Sequence, residues 1–251
     1  MATSLDVVVP VLNEEEDLRR SIITLHEFLS TNLGGYEWRI VVADNGSTDS
    51  TPEVAKRLSS DLANVGYLRL EGRGRGRALK KAWTESSADI LSYMDVDLST
   101  DLSHFPPLVD AIRDQSYDIA IGSRLARGAQ VIGRPPKREL ISRAYSILFR
   151  SMFWTGFRDA QCGFKALSAN TAHAILPLVR DTGWFFDSEL LIVAEKNGYR
   201  IKELPVKWTD DPGSRVKIVG TAYGDLKGLL RLRFGGLRKA SKALSAQHEQ
   251  A

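Results

Sequence analysis

Short runs of apolar and β-branched residues alternate with longer amphipathic stretches over the first 123 residues. The runs are almost continuously apolar, which is typical of strands buried on both faces, as in a parallel sheet. We predict strands at 5–12, 38–44, 65–70, 89–95 and 117–123, and helices near 14–31, 51–62, 76–87 and 104–115. Strands that alternate with helices in this way predict an α/β sheet with right-handed crossovers.

The alternation changes after residue 123. A loop rich in Gly, Pro and Arg (124–137) precedes a basic helix predicted at 138–157, which carries several large apolar residues. Further elements are predicted as strands within 163–168 and 199–208, a helix at 187–197 and a basic amphipathic segment at 216–239. Since neither a repeat nor a linker interrupts the chain, we expect one continuous domain over 1–240 and a frayed tail at 241–251.

Composition limits the chemistry that the chain can perform. Its 251 residues are 43% hydrophobic and 26% charged, which is ordinary for a globular protein. Cys162 is the single cysteine, so an internal disulfide is impossible and a reducing compartment is expected. The four histidines are scattered, so any metal should be a hard ion bound by oxygen. A signal peptide and an apolar run of about 18 residues are both lacking, so we do not expect an integral membrane protein.

The net charge of +3 hides an asymmetry along the chain. Residues 1–71 carry twelve acidic and six basic side chains, whereas residues 123–150 carry seven Lys/Arg against Glu139 alone, and residues 213–242 carry eight against Asp225 alone. A basic second half suggests an anionic partner, such as phosphates, a lipid surface or nucleic acid. The alternative interpretation is a solvated basic face.

Three arginines alternate with glycines in "GRGRGR" (72–77), directly after the third predicted strand. Ligands of open α/β sheets bind at the carboxyl ends of the strands. The stretch lacks the third glycine of G-x-G-x-x-G and does not follow the first strand, which disfavours a nicotinamide or flavin enzyme. A flexible turn whose guanidinium groups bind a diphosphate fits better. The alternative is a solvated basic turn.

Three aspartates, Asp95, Asp97 and Asp101, stand at the end of the fourth predicted strand and directly after it, in "YMDVDLSTDL". An Asp-x-Asp pair at a strand end can place two carboxylates on one Mg²⁺ or Mn²⁺, which takes its other ligands from water and a substrate phosphate. The alternative is a capped turn before the next helix, with Asp101 or Ser103 as the cap. Together with the arginine turn, the pair favours a clamp for a nucleoside diphosphate.

An ordered set of motifs resembles the inverting glycosyltransferases of family 2, which have the GT-A fold. In the first half these motifs are "VVVPVLNEEEDL", "VVADNGSTDST", "GRGRGRAL", "YMDVDLST" and "IGSR". Later stretches are most similar to polyprenyl-phosphate hexosyltransferases, especially the dolichyl-phosphate β-glucosyltransferase branch and then mannose synthase: "DAQCGFKALS", "WFFDSELL" and "IKELPVKWTDDPGSRV". The resemblance covers roughly residues 5–233. It implies a Rossmann-like, mostly parallel sheet flanked by helices, with amphipathic helices at the C-terminus.

The implied reaction is an inverting, metal-dependent transfer of a hexose from a nucleotide sugar to a polyprenyl phosphate. UDP-glucose is the preferred donor, GDP-mannose the next, and Mg²⁺ or Mn²⁺ the metal. A phosphate monoester has a second pKa of about 6, so the acceptor is already an anion at neutral pH and needs no strong general base. The alternative within enzymes is a family 2 transferase with a soluble or polysaccharide acceptor. Nucleotidyl transfer is a further alternative, but it would leave the later motifs unexplained. A non-catalytic sensor of nucleotide sugars is disfavoured by the intact Asp-x-Asp pair. A nucleic-acid partner is disfavoured by the acidic loops at the strand ends.

The resemblance also implies roles for particular residues. Asp97 and Arg124 would be catalytic, with Asp95 and Asp97 holding the metal. It places Pro10, Asn13, Glu14 and Asp44 in the nucleoside pocket. Arg75 is the first candidate for binding the diphosphate, beside Asp95, and the acceptor phosphate needs cations that Arg124 and Arg138, or else Arg134 or Arg143, can supply. Two features depart from the family: Asp44-Asn45 replaces the usual acidic pair after the second strand, and the membrane anchor of the eukaryotic glucosyltransferase branch is not seen in this sequence.

Four further candidates each have a structural alternative. Gln161 and Lys165 belong to the family-like turn, and Lys165 either contacts a phosphate or is one lysine on a buried strand. Asp187, together with Glu189, contacts sugar hydroxyls or forms an acidic cluster at a helix start. Arg215 lies on a glycine-containing loop suited to close over a phosphate.

A polyprenyl acceptor stays in the bilayer, so the protein must approach a membrane surface. The basic, aromatic-rich segments 138–157 and 216–239 have the composition of interfacial helices, although packing of their apolar faces in the core is the alternative. We expect a cytoplasmic protein, peripheral on the cytoplasmic face of the membrane. Residues 1–123 would form its nucleotide-sugar half, and residues 124–240 the half that faces acceptor and membrane.

Overall fold

The structure is a computed structural model that describes residues 2–210 and 218–248. The strands are β1 (Thr3–Val11), β2 (Tyr36–Asp44), β3 (Val65–Arg69), β4 (Ile90–Met94), β5 (Ile119–Ser123), β6 (Gln130–Ile132), β7 (Phe164–Ser168), β8 (Ile201–Pro205) and β9 (Lys207–Thr209). The α-helices are α1 (Leu18–Asn32), α2 (Thr51–Asp61), α3 (Arg75–Thr84), α4 (Phe105–Arg113), α5 (Pro136–Phe153), α6 (Ala169–Ile175), α7 (Phe186–Lys196), α8 (Ile218–Arg231) and α9 (Leu237–His248).

Seven strands form one central sheet in the order β3-β2-β1-β4-β7-β5-β8. Only β7 runs antiparallel to its neighbours; it lies between β4 and β5 and pairs Lys165 with Tyr93. The other pairs are parallel. The mostly parallel α/β sheet predicted from the sequence is therefore confirmed, and the carboxyl ends of its parallel strands share one edge.

The sheet is buried on both faces, as the apolar runs predicted. Along β1, Val8 belongs to the core on one face, and Val7 and Val9 belong to the core on the other. The first core is rich in aromatic side chains from α3, β4, α5 and α7, namely Trp83, Tyr93, Phe149 and Phe186. The period of two along each strand explains this division.

The start of α7 packs tightly between two other helices. A methyl group at Gly76 of α3 would lie 2.5 Å from the Phe186 side chain, and one at Gly228 of α8 would lie 2.2 Å from the Phe185 side chain. Only glycine leaves room for these rings. Two consecutive phenylalanines therefore join α7 to α3 on one side and to α8 on the other.

The region predicted as a loop at 124–137 contains a short strand. β6 pairs in parallel with β9 and forms a separate two-stranded sheet. The predicted strand region 199–208 divides into β8 and β9 around Val206, which is 1% exposed and packs in the core. A strand of three residues with little burial has too few positions to show a periodic pattern.

The expected frayed tail is wrong as far as His248. After α8 the backbone departs from helical geometry at Phe234 (φ −94°, ψ 46°) and Gly235 (φ 113°), and α9 then continues to His248. Ala240 and Leu244, one helical turn apart, are buried in the first core against α6 and α7. Across the two described ranges, no helix combines the length and apolar character needed to cross a bilayer.

Candidate active site

The arginine turn and the aspartate pair meet at the carboxyl edge of the sheet. Arg75 is the first residue of α3, and its Nη2 donates to Asp95 Oδ1 at 2.5 Å, directly after β4. The Asp95 side chain remains 42% exposed, whereas that of Arg75 is 11% exposed. Asp97 is exposed, and its Oδ1 accepts from the Ser99 amide at 2.9 Å. Two loops that are separate in sequence therefore form one charged site.

A glycine allows Asp95 to lie against the turn before β7. The Asp95 amide donates to the Gly163 carbonyl at 3.1 Å. A Cβ atom at position 163 would lie 1.8 Å from Asp95 Oδ2, which is impossible without displacing the carboxylate. The position of a glycine in the "QCGFK" turn is therefore explained by its close contact with Asp95, which the sequence alone did not reveal.

The surroundings of Asp95 favour a bound cation. Partial burial of the Asp95 carboxylate, whose side chain still reaches solvent, raises its pKa above the ordinary value, the charges of Asp97 and Asp187 raise it further, and Arg75 opposes them. The described residues contain no group of three or more His, Cys, Asp or Glu arranged to hold a metal. Two neighbouring carboxylates fit Mg²⁺ or Mn²⁺, which commonly bind one or two carboxylates and complete their coordination with water and phosphate oxygens.

The guanidinium of Arg75 is fixed between two aromatic rings. It lies 5.1 Å from the ring centre of Tyr93 and 5.0 Å from that of Trp184. Its Nη1 is 3.7 Å from Asp187 Oδ2, and its Nε is buried without a hydrogen-bond partner. Arg73 and Arg77 are exposed. Of the three arginines in the turn, Arg75 is therefore the one held in the site.

Behind Arg75 lies a buried ionic cluster. Lys165 is 1% exposed, and its Nζ donates to Tyr93 Oη at 3.0 Å and to the Cys162 carbonyl at 2.5 Å, and lies 3.0 Å from Asp187 Oδ1. The Tyr93 hydroxyl also donates to Asp187. Burial and the Asp187 charge hold the pKa of Tyr93 well above its ordinary value. This geometry favours the buried-lysine interpretation of Lys165 over a contact with phosphate, and it makes Lys165 a positioning partner of Asp187.

Glu189, the second acid of α7, is engaged elsewhere. Both of its carboxylate oxygens accept from Arg231 of α8 at 2.7 Å, and Oε2 also accepts from the Asp181 amide at 2.7 Å. The side chain is 1% exposed. Glu189 therefore connects α7 to α8, which favours the structural interpretation for this acid.

Arg124 is held by a buried carboxylate. Its Nε and Nη2 donate to Asp159 Oδ2 and Oδ1 at 2.8 and 2.9 Å, and its amide donates to Oδ2 at 3.0 Å. Burial alone would raise the pKa of Asp159, but the adjacent guanidinium holds it well below its ordinary value. The pair fixes Arg124 at the end of β5, as a charge-assisted fork.

A single tryptophan connects the arginines after β5 to the aspartate site. The guanidinium groups of Arg124 and Arg134 lie 5.5 and 5.6 Å from the ring centre of Trp208. Trp208 also borders a small cavity together with Asp95 and Asp97. Arg138 lies nearby in the chain, and its Nη1 donates to Asp210 at 2.7 Å. Trp208 therefore lines the small cavity beside the two aspartates and also contacts the guanidinium groups of Arg124 and Arg134.

The loops after β1 and β2 are joined through Asn13. Its φ is 58°, its Oδ1 accepts from the Thr48 amide at 2.8 Å, and its own amide donates to Ser47 Oγ at 2.9 Å. The Glu14 amide donates to Thr51 Oγ1 at 2.8 Å. Asparagine tolerates the left-handed conformation better than most residues, so its type is explained by the turn itself.

Asp44 ends β2 with a carboxylate that is fully buried. Its Oδ1 accepts from the Ser47 amide at 2.8 Å, and its Oδ2 accepts from Tyr67 Oη at 2.9 Å and from Arg69 Nη1 at 3.0 Å. Pro10 lies one residue before the end of the neighbouring strand β1. In this arrangement Asp44 shapes the loop at the proposed nucleoside pocket.

Gln161 contacts an acid that the sequence analysis did not select. Its Nε2 donates to Asp225 Oδ2 at 2.6 Å, and Asp225 Oδ1 is buried without a partner. Burial raises the pKa of Asp225 to about 6, with further contributions from Asp181 and Asp187 and an opposing one from Gln161. The available signal was its position as the lone acid in a basic segment.

Replacing Asp225 with asparagine is expected to stabilise the protein, and more so at high pH. The folded state holds the Asp225 proton more tightly than the unfolded chain does, so this group favours folding at low pH and that contribution is lost as the pH rises through about 6. From about pH 5 to about pH 8, the gain of Asp225→Asn in the free energy of unfolding should grow by about 1 kcal/mol. Urea denaturation at both pH values measures it; an exposed control, Asp61→Asn, should show no such growth. A gain that shrinks with rising pH would contradict the assignment.

The sequence also led to expectations for Asp101 and for Arg215, and the structure describes only the first of these residues. The predicted capping role of Asp101 is confirmed, since its Oδ1 accepts from the Ser103 amide at 3.0 Å. Arg215 lies outside the described residues. Trp184, Trp208 and Gly163 were missed because their roles depend on contacts between distant segments.

Comparison with known proteins gives consistent matches. The family described as "Glycosyl transferase family 2" matches residues 6–174. The chain is 36% identical over 228 residues to glycosyltransferase AglD of Haloferax volcanii, covering 90% of this chain but only 36% of that protein. It is 30% identical over 244 residues to the dolichyl-phosphate beta-glucosyltransferase of Dictyostelium discoideum, covering 92% of this chain and 74% of that protein.

The fold is also found in a solved structure. The glucosyl-3-phosphoglycerate synthase of Mycobacterium tuberculosis, in complex with Mn²⁺, UDP and phosphoglyceric acid, superimposes with a TM-score of 0.69 at 20% identity, over 93% of this chain and 79% of that chain. At this identity the likeness concerns the fold, which is thereby assigned to the GT-A type.

Proposed function

Because this chain belongs to glycosyltransferase family 2, we propose that it transfers glucose from UDP-glucose to a polyprenyl phosphate of the dolichyl type. The chain is a glycosyltransferase; the donor and the acceptor are the proposal. Relatives named dolichyl-phosphate beta-glucosyltransferase, matched over most of the chain, support it. The structural observation that carries it is that Asp95, Asp97 and Trp208 line one small cavity, and that the Trp208 ring also contacts the guanidinium groups of Arg124 and Arg134.

The donor binds at the carboxyl edge of β1, β2 and β4. Pro10, Asn13, Glu14 and Asp44 form the nucleoside pocket in this proposal, at the joined loops after β1 and β2. Arg75 binds the diphosphate. The rings of Tyr93 and Trp184, which both contact its guanidinium, hold that group in place. Arg75 donates to Asp95 at 2.5 Å, so the diphosphate binds next to an arginine that is already paired with a carboxylate.

Asp95 and Asp97 would hold a Mg²⁺ or Mn²⁺ ion, whose chemistry is to neutralise negative charge on the diphosphate as it leaves. The geometry supports this role, because Asp95 and Asp97 line the same small cavity, and burial and the charges of Asp97 and Asp187 raise the pKa of Asp95 despite its contact with Arg75. Arg75 adds a second positive charge on the same leaving group. Charge stabilisation of this kind is usually the largest contribution to catalysis.

The acceptor phosphate binds on the basic side. Arg124 and Arg138 are held by Asp159 and Asp210, and in this proposal they supply the positive charge for the acceptor phosphate. A phosphate oxygen attacks the anomeric carbon of glucose, the bond from that carbon to the diphosphate oxygen breaks, and UDP leaves with the electron pair. The configuration at that carbon inverts. No histidine is needed as a base, since the phosphate is already ionised at neutral pH.

The two halves of the domain divide the work. Residues 1–123 carry the donor loops, and residues 124–240 carry the acceptor side together with Gln161, Asp187 and, outside the described residues, Arg215. With its acceptor confined to a bilayer, the protein would act as a peripheral protein at the cytoplasmic face of the membrane.

The test is transfer of radiolabelled sugar from UDP-glucose and, separately, GDP-mannose to a polyprenyl phosphate that can be extracted into organic solvent, with Mg²⁺, with Mn²⁺ and with excess chelator. We expect label in the lipid phase from UDP-glucose, and its loss with chelator. Label from GDP-mannose alone would correct the donor. If nucleotide sugar binds but lipid stays unlabelled, the alternative of a soluble or polysaccharide acceptor replaces the proposal.

A further inference from the structure

Large apolar side chains are exposed mainly on one part of the molecule. Ten such side chains are exposed in the described residues, and eight of them lie on α5, on α8 or within three residues after these helices. We call these eight the α5–α8 surface, which consists of Leu140, Ile147, Leu148, Trp154, Tyr223, Leu226, Leu230 and Phe234.

The exposed residues follow the faces of the two helices. On α5, Leu140 and Ile147 are seven residues apart and so lie along one line of the helix, and Trp154 follows directly after the helix ends. On α8, Tyr223 and Leu230 are likewise seven residues apart. Each helix has a separate buried face in the core, so packing in the core leaves these outer side chains unexplained.

The two helices rest on the same neighbour and meet at one end. The Tyr145 hydroxyl of α5 donates to Ser188 of α7, and Arg231 of α8 binds Glu189, the next residue of α7. An open groove at the end of α5 is lined by Met152, Phe153, Trp154, Arg233 and Leu237. The end of α5, with Trp154, therefore lies beside the segment that follows α8 and contains Phe234.

Two aromatic rings stand out where the helices end. Trp154 is 85% exposed at φ 57°, and its carbonyl accepts from Lys196 Nζ at 3.0 Å. Phe234 is 82% exposed in the break before α9. An aromatic ring exposed to water is less favourable in free energy than the same ring buried in an apolar environment. Rings held outward at helix ends are suited to the headgroup level of a bilayer.

The positive charge near these rings favours a lipid surface over a second copy of the chain as the partner. In residues 218–248 there are six Lys/Arg and one acid, Asp225, which is buried. The exposed bases are Lys227, Arg233, Arg238, Lys239 and Lys242. A second copy of the chain would bring the same positive charges together and be repelled, whereas anionic lipid headgroups attract each of them.

We propose that the α5–α8 surface binds the surface of an anionic phospholipid bilayer, with Trp154 and Phe234 inserted at the level of the headgroups. The proposal deepens the function above and rests on it for its purpose, because a polyprenyl acceptor is reached only at a bilayer. Binding itself requires neither a donor sugar nor turnover, so the two can fail independently.

The experiment is sedimentation of the full chain with vesicles of phosphatidylcholine, with and without phosphatidylglycerol. We expect binding that depends on phosphatidylglycerol and decreases with salt. The double variant Trp154→Ala/Phe234→Ala should bind at least about tenfold more weakly. Arg233→Glu/Lys239→Glu should also lose binding, whereas the matched control Lys56→Glu/Arg57→Glu on exposed α2 should not.

Three outcomes would overturn the inference: no sedimentation with anionic vesicles, equal loss in the α2 control, or an apparent mass in analytical ultracentrifugation that changes with the aromatic variant. The last would identify the surface as a contact between copies. Transfer to acceptor in detergent should survive in Trp154→Ala/Phe234→Ala while transfer to acceptor in vesicles falls. If the chain labels no lipid at all but binds vesicles as described, the surface is upheld and the acceptor assignment fails.

Discussion

Replacing Asp97 with alanine is expected to lower kcat/KM for sugar transfer by about 100- to 1000-fold, the scale on which removing one charge-stabilising group acts. Asp97 is exposed at the end of β4, and it borders the same cavity as Asp95 and Trp208. Its loss would leave Asp95 as the one carboxylate of the pair, and Asp95 already contacts Arg75. The measurement is initial-rate kinetics with a nucleotide sugar, alongside the affinity of the variant for Mn²⁺.

The matched control is Asp101→Ala, four residues further along the same loop. Asp101 accepts hydrogen bonds from the Ser103 amide and hydroxyl and so caps a short helical turn. Its loss should cost about 1 kcal/mol of stability, the usual cost of losing a cap, and should leave transfer nearly unchanged. Equal activity losses in the two variants would mean that the loop needs both acids for its conformation, and the metal role of Asp97 would be wrong.

Replacing Lys165 with methionine is expected to lower the free energy of unfolding by about 3 kcal/mol, since removing one partner of a buried ion pair leaves an uncompensated charge. Lys165 and Asp187 are 1% and 3% exposed, with 3.0 Å between Nζ and Oδ1. Methionine fills a similar volume, so the effect reports the charge and its hydrogen bonds. Chemical denaturation measures it, and adding Asp187→Asn should recover part of the loss.

An exposed ion pair in the same protein supplies the comparison. Lys81 pairs with Glu85 on the surface at the end of α3, where the side chains are 47% and 50% exposed. Lys81→Met should change the free energy of unfolding by less than about 0.5 kcal/mol, because exposed pairs are solvated whether or not they meet. A Lys165→Met effect as small as this would show that Asp187 finds other compensation, and the positioning role of Lys165 would have to be dropped.

The sequence was a good guide to the parallel half of the sheet. Strands such as β1 and β4 are buried on both faces, so their apolar runs stand out, and polar residues after them mark the loops at one edge. From this rule alone, the loops of Arg75 and Asp95 were expected to be neighbours, and the structure places their side chains in contact. This expectation needs only local information, because a helix between two successive strands makes those strands parallel.

Features that depend on distant pairing were out of reach. The run 163–168 predicted a strand, but nothing in it shows that β7 enters antiparallel between β4 and β5, and that register is what sets Lys165 beside Tyr93. A lysine on a strand reads equally as solvated or buried until its neighbours are known. The helical tail is similar, since Ala240 and Leu244 become informative only once α6 and α7 offer a surface for them.

The glycine contacts of α7 have a mechanical consequence. Gly76 follows Arg75 directly and receives the ring of Phe186, while Gly228 of α8 receives the ring of Phe185. Neither glycine has a side chain that could rearrange, so α3 and α8 each lie directly against a phenylalanine ring, and the two rings belong to adjacent residues. The positions of the outer helix α8 and of the helix that carries Arg75 are thus both set by the same short segment at the start of α7.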